Sequence, residues 1–291
     1  MKILVTGGSG FVGWSILNRL ATDYDVWYTY FQNDVTHPIA TGINLDIRNK
    51  KAVFECINNI CPDVIIHSAA MTDVDACETN PKQAHTINVN GTKNILDVAT
   101  DCDASVVFLS TAFVFDGKKS EYRPNDNRNP INKYGQTKYE AEKAVEDSDL
   151  RTTILRIDQP YGRVQPWQSE TMIQWTLAQL SDNTHVEVFD DWHNNPTYIF
   201  DISKVIKLVV ERTSTGTFHV VGPNYISRFS WAKLIADAFG YDSSRIVPSH
   251  SKSVNLPAKR PNVDLDNTTV TTDLKLSMTE INMGLKEMVD S

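Results

Sequence analysis

The chain opens with Met1-Lys-Ile-Leu-Val-Thr-Gly-Gly-Ser-Gly-Phe-Val-Gly13, and this stretch decides the fold. Its apolar, β-branched run predicts a buried strand, and the amphipathic stretch that follows, Trp14–Leu20, predicts a helix. Closely spaced glycines separate the two. The order strand, glycine turn, helix is typical of a nucleotide-binding βα unit.

Three glycines with the spacing G-x-x-G-x-x-G suit this turn to a dinucleotide. Gly7 permits the tight turn, Gly10 lets the backbone approach a pyrophosphate, and Gly13 lets the helix pack closely on the strand. Unpaired N–H groups and the helix dipole then favour phosphate at the start of the helix. We therefore expect a dinucleotide site here.

Strand-like and helical patterns alternate through the first half of the chain. The strand-like runs are Lys2–Thr6, Asp25–Tyr30, Val64–Ser68, Ser105–Ser110 and Thr152–Arg156. The helical stretches are Phe11–Ala21, Lys51–Asn59, Pro81–Thr100 and Tyr134–Asp147. This alternation predicts an α/β fold, a Rossmann-type doubly wound parallel sheet that binds its ligands beyond the carboxyl ends of the strands.

The alternation weakens beyond about residue 160, where prolines interrupt the pattern. We therefore expect residues 1–160 to form the NAD(P)-binding Rossmann domain, with some later segments returning to it. Residues 161–291 should form mainly a smaller, C-terminal substrate-binding lobe. Helical patterns in that part are Ser169–Leu180, Ile202–Thr213 and Ser230–Phe239.

Composition excludes several classes of function. The net charge is −8, from 28 basic and 36 acidic residues, which argues against nucleic acid or an anionic membrane as the main partner. No apolar run approaches the ~18 residues of a membrane span, and no leader precedes the first strand, so we expect a cytoplasmic protein. The four cysteines lack C-x-x-C spacing, which favours reduced thiols and no metal site.

Tyr134-Gly-Gln-Thr-Lys138 is the next informative motif, because residues four apart share one face of a helix. An ammonium group near a phenol lowers the pKa of the phenol, which equips Tyr134 to exchange a proton with a carbonyl oxygen. The same ammonium can bind a nicotinamide ribose. A second copy, Tyr139 to Lys143, points elsewhere, and we choose Tyr134 because it begins the helix after the Pro130 loop.

Ser110 and Thr111 follow the strand that starts at Ser105, at the edge where a parallel sheet presents its ligands. A hydroxyl group at this position can donate a hydrogen bond to a substrate carbonyl and polarise it. A pair of hydroxyl residues can equally satisfy the backbone of a turn. We expect Thr111, rather than Ser110, to take part in catalysis.

Together these motifs resemble the dTDP-4-dehydrorhamnose reductase family of the extended short-chain dehydrogenase/reductases. The resemblance runs in order from residue 1 to about residue 270. It rests on Thr6–Gly13, Ile66–Ala70, Asn88–Thr92, Ser110–Gly117, Tyr134–Lys138 and Lys259–Asp266. The turn Val114–Gly117, the stretch Thr72–Asp75 and the late Arg-Pro pair are more specific to this branch than the glycine and Tyr/Lys motifs.

The resemblance implies roles for individual residues. Thr111, Tyr134 and Lys138 would form the catalytic triad. Residues around an NADP(H) or NAD(H) cofactor would be Gly7, Gly10, Phe11, Val12, Gly13, Asp46, Ile47, Ala69, Ala70, Tyr134 and Lys138. Asp46 and Ile47 would lie near the adenine. The family reduces the 4-keto group of a nucleotide-linked 6-deoxysugar, which makes a nucleotide sugar the expected substrate and Tyr134 the proton donor.

Two segments depart from the family pattern. Reductases of this family usually carry Ser-Thr-Asp-Tyr where this chain has Ser110-Thr-Ala-Phe113, so two polar, substrate-facing groups are lost. The family also commonly has a tryptophan in the segment that reads Ile157–Gly162 here, and Trp167 or Trp192 could replace that aromatic surface. Both departures concern the identity of the sugar rather than the reduction itself.

The end of the second strand bears on the choice of cofactor. NAD-selective sites place an acid there for the ribose 2′-hydroxyl, and NADP sites use arginine. The segment Tyr28–Asn33 offers neither. Because no carboxylate repels a 2′-phosphate, we expect NADPH to be accepted alongside NADH.

Other functions remain open. One is a sugar-nucleotide epimerase or dehydratase, although a dehydratase would need an acidic residue just after Thr111, where this chain has Ala112. Another is a regulatory protein that binds a dinucleotide without catalysis, because the β subunit of methionine adenosyltransferase resembles these reductases. The family often dimerises, so a homodimer is also possible.

Overall fold

The structure, a computed structural model, describes residues 1–182 and 185–290. Strands and helices alternate along the chain as the sequence predicts. The strands are β1 (Lys2–Thr6), β2 (Asp25–Tyr30), β3 (Thr41–Asn44), β4 (Val64–His67), β5 (Ser105–Thr111), β6 (Thr152–Ile157), β7 (Pro160–Tyr161), β8 (Val186–Phe189), β9 (His193–Asn194), β10 (Thr197–Tyr198), β11 (Gly216–Val220), β12 (Ile226–Ser227) and β13 (Ile246–Ser249).

The helices cover the sheet and build the C-terminal region. They are α1 (Phe11–Leu20), α2 (Lys50–Ile60), α3 (Val74–Thr79), α4 (Pro81–His85), α5 (Gly91–Ala99), α6 (Lys133–Glu146), α7 (Met172–Asp182), α8 (Ile199–Arg212), α9 (Arg228–Ala238), α10 (Thr268–Asp273) and α11 (Ile281–Asp290). Among these described residues, no helix is both long and apolar enough to cross a membrane.

Seven parallel strands form the main sheet in the order β11-β6-β5-β4-β1-β2-β3. The strand order reverses between β1 and β4, which opens a crevice at the carboxyl ends of these strands. This arrangement confirms the predicted doubly wound Rossmann-type fold. The sequence patterns missed β3, a four-residue edge strand that is largely exposed and lacks an apolar face.

Each face of the sheet has its own core, because successive side chains of a strand point to opposite faces. Ile3 and Val5 pack on α1 and α8, whereas Leu4 packs on α2, α5 and α6. All three residues are fully buried. Burial on both faces explains why the strands read as continuous apolar runs rather than as alternating ones.

The second half of the chain contributes both to the main sheet and to a separate region. Strand β11 pairs with β6, and α8 packs on α1. The remaining strands form three two-stranded ladders, β10 with β7, β12 with β9, and β13 with β8. These ladders, together with α7, α9 and α11, lie C-terminal to residue 160, apart from the first residue of β7.

The segments that are most specific to the reductase family connect distant parts of the chain through an ion pair, a close backbone approach and a hydrogen bond. Arg260 forms a bidentate ion pair with Asp75, at 2.7 and 2.9 Å. Gly117 has φ +72°, and a Cβ there would lie 2.6 Å from the carbonyl oxygen of Asn262. Asn132, which caps α6, also donates to the Lys259 carbonyl at 2.8 Å. The late Lys259–Asp266 stretch therefore holds the loops around the start of α6.

The glycine turn leaves no space for side chains. Gly7 has φ +67°, and a Cβ on it would lie 2.8 Å from the Cα atom of Ala69 at the end of β4. A Cβ on Gly13 would overlap the carbonyl oxygen of Gly7. Gly10 is less constrained, because its backbone is extended and the nearest atom to a Cβ is 3.2 Å away.

We predict that Gly13→Ala destabilises the protein, even though alanine favours a helix by about 1 kcal/mol over glycine. Overlap with the Gly7 carbonyl should cost about 1–3 kcal/mol and outweigh that gain. The free energy of unfolding in urea measures the difference. Gly10→Ala is the matched control and should lose less. A Gly13→Ala variant as stable as the wild type would contradict this packing.

Candidate active site

A cavity of about 1200 Å³ opens at the carboxyl ends of the central strands. This volume exceeds that of most single-ligand pockets and is large enough for a dinucleotide with a second ligand. Most of the residues predicted to contact a cofactor line it. They are Gly7, Gly10, Phe11, Val12, Gly13, Asp46, Ile47, Ala69, Ala70 and Tyr134.

The start of α1 suits a phosphate group. Gly10 occupies the N-cap position, and no side chain caps the helix. The first N–H groups of the helix therefore remain available to an anion, and the helix dipole favours negative charge at this end. The glycine turn and the helix start lie in the same cavity, so these residues fit the dinucleotide that the sequence predicts.

The far end of this cavity contains a cation that the sequence reasoning missed. Arg48 lines the cavity, and its guanidinium lies 5.3 Å from the centre of the Phe31 ring. It also binds both carboxylate oxygens of Asp46, at 2.7 to 2.9 Å. Asp46 lines the cavity, but its carboxylate is already paired. Arg48 lies in the loop after β3 and reaches Phe31, just beyond the end of β2, so no residue at the end of β2 itself signals this cation.

The two residues predicted to supply catalytic hydroxyl groups line the same cavity. Tyr134 lies in the first turn of α6, and Thr111 lies at the end of β5. The Thr111 hydroxyl accepts from the backbone N–H of Phe113, at 3.3 Å. Both side chains line the cavity that contains the glycine turn.

The expectation that the Lys138 ammonium lowers the pKa of Tyr134 is wrong. Burial raises the pKa of the Tyr134 phenol above its usual value, and the nearby Thr111 side chain offsets this rise only in part. A buried phenol without a neighbouring cation resists ionisation, because the charged form loses its hydration. Tyr134 is therefore a neutral phenol at neutral pH, the form that can donate a proton.

Lys138 lies behind Tyr134 and does not line the cavity. Its ammonium donates to the Leu109 carbonyl at 2.6 Å and lies 4.0 Å from the centre of the Phe108 ring. Burial lowers its pKa to about 7. The helical spacing places both residues on one side of α6, but the lysine turns towards the sheet.

The second Tyr/Lys copy is structural, as expected. The Tyr139 ring lies between two cations, 4.8 Å from the Arg128 guanidinium and 4.7 Å from the Lys143 ammonium. Tyr139 packs against the cluster around Phe115 and does not line the cavity. Tyr134 therefore faces the cavity and Tyr139 does not, although only five residues separate them on the same helix.

A π-helical turn, Thr86–Asn90, interrupts the long helix that the sequence predicts over Pro81–Thr100. It places Asn88 between two elements of the site. The Asn88 side chain accepts from the N–H of Met71 at 2.7 Å and donates to Thr137 on α6 at 3.0 Å. Such turns are frequent at functional sites. Asn88 thus fixes the loop after β4 relative to the helix that carries Tyr134.

Aromatic side chains line the end of the cavity away from Arg48. Phe113 contacts Tyr134 edge-on, with ring centres 6.1 Å apart, so the expected loss of two polar groups leaves an apolar surface here. Of the two candidate tryptophans, Trp192 lines the cavity, whereas Trp167 does not and instead donates to the Ser9 carbonyl. The His193 ring contacts the Tyr225 ring at a tilt, with ring centres 5.4 Å apart, and His193 does not line the cavity.

The remaining histidine candidate is a core residue. His67 is buried in β4, and its ring nitrogens contact the hydroxyls of Thr6 at 2.7 Å and Thr92 at 3.0 Å. Burial lowers its pKa to about 3, so the ring is neutral. Over residues 1–182 and 185–290, no group of three or more His, Cys, Asp or Glu could hold a metal ion.

Two ionisable side chains at this end of the cavity were not anticipated. Asp158 follows β6 and accepts from the Asn195 N–H at 2.9 Å, and burial raises the pKa of its carboxyl to about 7. Arg228 begins α9, with its guanidinium 4.0 Å from the centre of the Trp192 ring. Each comes from a segment that reads as an ordinary loop or helix start, so no local sequence signal identifies it.

Asp158 predicts a pH dependence of stability. Between about pH 4 and 7 the folded protein keeps a proton on Asp158 that the unfolded chain has released. The free energy of unfolding therefore falls as pH rises through this window, by at most about 1.4 kcal/mol per unit. Asp158→Asn removes the effect, so wild type should lose stability relative to this variant between pH 4 and 7 in urea titrations.

Asp190→Asn, at an exposed position, controls for the loss of one carboxylate. A stability difference between wild type and Asp158→Asn that stays constant from pH 4 to 8 would contradict the raised pKa.

Comparisons with known proteins identify the family of this chain. The family model described as RmlD substrate binding domain matches residues 1–291. Methionine adenosyltransferase 2 subunit beta of Bos taurus is 30% identical over 302 aligned positions, which cover 98% of this chain and 86% of that protein.

Two solved structures share the whole fold. A dTDP-4-dehydrorhamnose reductase of Clostridium acetobutylicum is 30% identical, with a TM-score of 0.88 over 100% of this chain and 99% of that one. The dTDP-4-dehydrorhamnose reductase of Bacillus anthracis, solved in complex with NADP, is 25% identical, with a TM-score of 0.88 over 99% and 98% of the two chains. The chain therefore belongs to the dTDP-4-dehydrorhamnose reductase family, as the sequence motifs indicate.

Proposed function

We propose that this protein is an NAD(P)H-dependent reductase of the 4-keto group of a nucleotide-diphosphate 6-deoxysugar. The observation that carries the proposal is that Thr111 and Tyr134 line one cavity together with the glycine turn. The family and the reductase structures support the reaction class. Residues 161–291 would contribute mainly to substrate binding.

The proposed proton donor is Tyr134. Reduction of a ketone leaves negative charge on the former carbonyl oxygen, and a neutral phenol within hydrogen-bond distance can protonate it. The raised pKa of Tyr134 keeps its proton in place until that charge develops. Thr111 would donate a second hydrogen bond to the same oxygen and orient the phenol.

The glycine turn, Phe11, Val12, Gly13 and the loop after β4 would hold the dinucleotide, and Asp46 and Ile47 would lie near its adenine. Bound NADPH or NADH supplies a hydride. Lys138 would act from behind Tyr134: its contact with the Leu109 carbonyl fixes α6 against β5. It can reach the cofactor ribose only if it leaves that carbonyl.

We predict that Tyr134→Phe lowers turnover by a factor of about 10² or more, because it removes the proton donor while keeping the ring. The assay is the loss of NADPH absorbance with dTDP-4-dehydrorhamnose. Tyr139→Phe is the matched control, since it removes the same atom one turn and a residue along the same helix.

Turnover by Tyr134→Phe close to that of the wild type would refute the role of this residue. A loss of activity in both variants would point to damage to α6, which circular dichroism and NADPH binding would detect.

Arg48 supports acceptance of NADPH. A guanidinium is the group that suits a ribose 2′-phosphate, and Arg48 lies at the end of the cavity beside Ile47. We predict that Arg48→Gln weakens NADPH binding about tenfold, the effect of losing one charge-assisted hydrogen bond, and leaves NADH within about twofold. Fluorescence titration with each dinucleotide measures this. Equal weakening of both would remove Arg48 from 2′-phosphate recognition.

A second candidate function follows from the similarity to the methionine adenosyltransferase subunit, which extends over nearly the whole chain. In that case the protein would bind a dinucleotide and a partner enzyme without catalysis. Dinucleotide binding without turnover of any keto sugar, together with co-elution with a methionine adenosyltransferase catalytic subunit, would favour this role. Size-exclusion chromatography detects such co-elution and also reports whether the protein forms a homodimer.

A further inference from the structure

Two side chains from the second half of the chain bind the glycine turn. The Trp167 indole N–H donates to the Ser9 carbonyl at 3.0 Å, and the Gln168 amide donates to the same oxygen at 3.2 Å. Ser9 is buried, whereas Trp167 and Gln168 are partly exposed. Neither donor lines the cavity, so both act on the turn rather than on the space that a ligand would fill.

The peptide unit between Ser9 and Gly10 is held at both ends. Its N–H group belongs to Gly10 and donates to the Gly7 carbonyl at 3.0 Å. A trans peptide unit is planar, and its C=O and N–H groups point in opposite directions. Hydrogen bonds at both ends therefore fix its orientation. Of the three bonds that hold this unit, two come from Trp167 and Gln168.

The orientation of this peptide unit determines how the anion site at the start of α1 begins. Gly10 is the N-cap residue, and its carbonyl accepts a helical hydrogen bond from the N–H of Trp14 at 2.8 Å. The N–H groups that would face a phosphate belong to the next residues, Phe11 and Val12, so their direction follows from that of Gly10. Because glycine has the greatest backbone freedom, fixing Gly10 before a ligand arrives lowers the entropic cost of binding.

The segment that carries both donors is itself fixed by further contacts. The Gln168 N–H donates to the Gln165 carbonyl at 2.9 Å, and the Gln165 N–H donates to the Gln168 side chain at 3.0 Å. The Trp167 ring meets the Trp14 ring of α1 edge-on, with ring centres 5.1 Å apart. Asn33, which lines the cavity, donates to the Trp167 carbonyl at 3.2 Å. Residues 165–168 therefore connect the glycine turn with the loop after β2.

We propose that Trp167 and Gln168 are positioning residues for the diphosphate of the dinucleotide. This inference rests on the dinucleotide binding that is part of the proposed function. Each side chain acts through the Ser9 carbonyl, and so through the N–H groups that follow Gly10. A segment that the sequence pattern assigns to the substrate-binding lobe thereby contributes to the dinucleotide site.

The test compares two ligands that differ in the diphosphate. NADP⁺ and adenosine 2′-monophosphate share the adenosine 2′-phosphate group, and only NADP⁺ has the diphosphate. Calorimetric titration measures the affinity for NADP⁺, and displacement of NADPH fluorescence measures that for the monophosphate. We expect Trp167→Phe and Gln168→Met each to bind NADP⁺ about three- to tenfold more weakly, the effect of one lost hydrogen bond, and the monophosphate within about twofold of wild type. The double variant should lose more than either single variant.

Trp27→Phe is the matched control. It removes the same indole N–H from a partly buried tryptophan in β2, where this group has no hydrogen-bond partner in the described part of the chain and lies outside the cavity lining. This variant should bind both ligands as the wild type does. Circular dichroism and the melting temperature report whether each variant is folded. If Trp167→Phe proves unfolded, the same comparison is made with Gln168→Met.

Three results would overturn the proposal: wild-type affinity for NADP⁺ in the folded variants, equal weakening of both ligands, or a loss of the same size in Trp27→Phe. Absence of NADP⁺ binding by the wild type would overturn it together with the proposed function. NADP⁺ binding that depends on Trp167, without reduction of any keto sugar, would leave the positioning role intact and refute the proposed reductase. Reduction of a keto sugar by variants with wild-type affinity for NADP⁺ would refute the positioning role alone.

Discussion

The site depends on one close backbone approach, between the glycine turn after β1 and the end of β4. A Cβ on Gly7 would lie 2.8 Å from the Cα atom of Ala69, so the two strand ends can meet only because residue 7 has no side chain. This contact lies at the point where the strand order reverses. It brings the start of α1 and the loop after β4 to the same cavity. Any side chain at Gly7 would force these two walls apart, and φ +67° adds backbone strain for a residue other than glycine.

A buried network of charged side chains fixes the position of α6. Glu142 on α6 is fully buried and binds Arg156 of β6 through both oxygens, at 2.9 Å each, while Arg128 reaches the same carboxylate at 2.6 Å. Breaking such a network by removing one partner costs about 3–5 kcal/mol, because the remaining charge stays buried. Glu142 lies two turns beyond Tyr134 on α6. The network thus positions the helix whose first turn carries the proposed proton donor, although none of its members lines the cavity.

The sequence predicts the sheet well, because buried parallel strands produce continuous apolar runs that local patterns detect. It also predicts most of the cavity lining, since glycine spacing and strand ends are local features. The sequence does not predict the surroundings of a side chain where these depend on packing between distant segments. Lys138 shares a helix face with Tyr134, but only the folded structure shows its ammonium on the Leu109 carbonyl, and so the expected lowering of the Tyr134 pKa is wrong. Arg48, Asp158 and Arg228 come from three separate segments, and no periodicity or motif marks any of them as facing one cavity.

The proposed reaction requires one cavity to bring a carbonyl carbon, the dinucleotide and the Tyr134 phenol together. The most direct measurement is a crystal structure with NADP⁺ and the reduced nucleotide sugar bound. We expect the Tyr134 hydroxyl within about 3 Å of the sugar O4, with Thr111 on the same oxygen and the dinucleotide diphosphate at the start of α1. A sugar bound with O4 beyond hydrogen-bond reach of both hydroxyls, or a dinucleotide seated away from the glycine turn, would contradict the account.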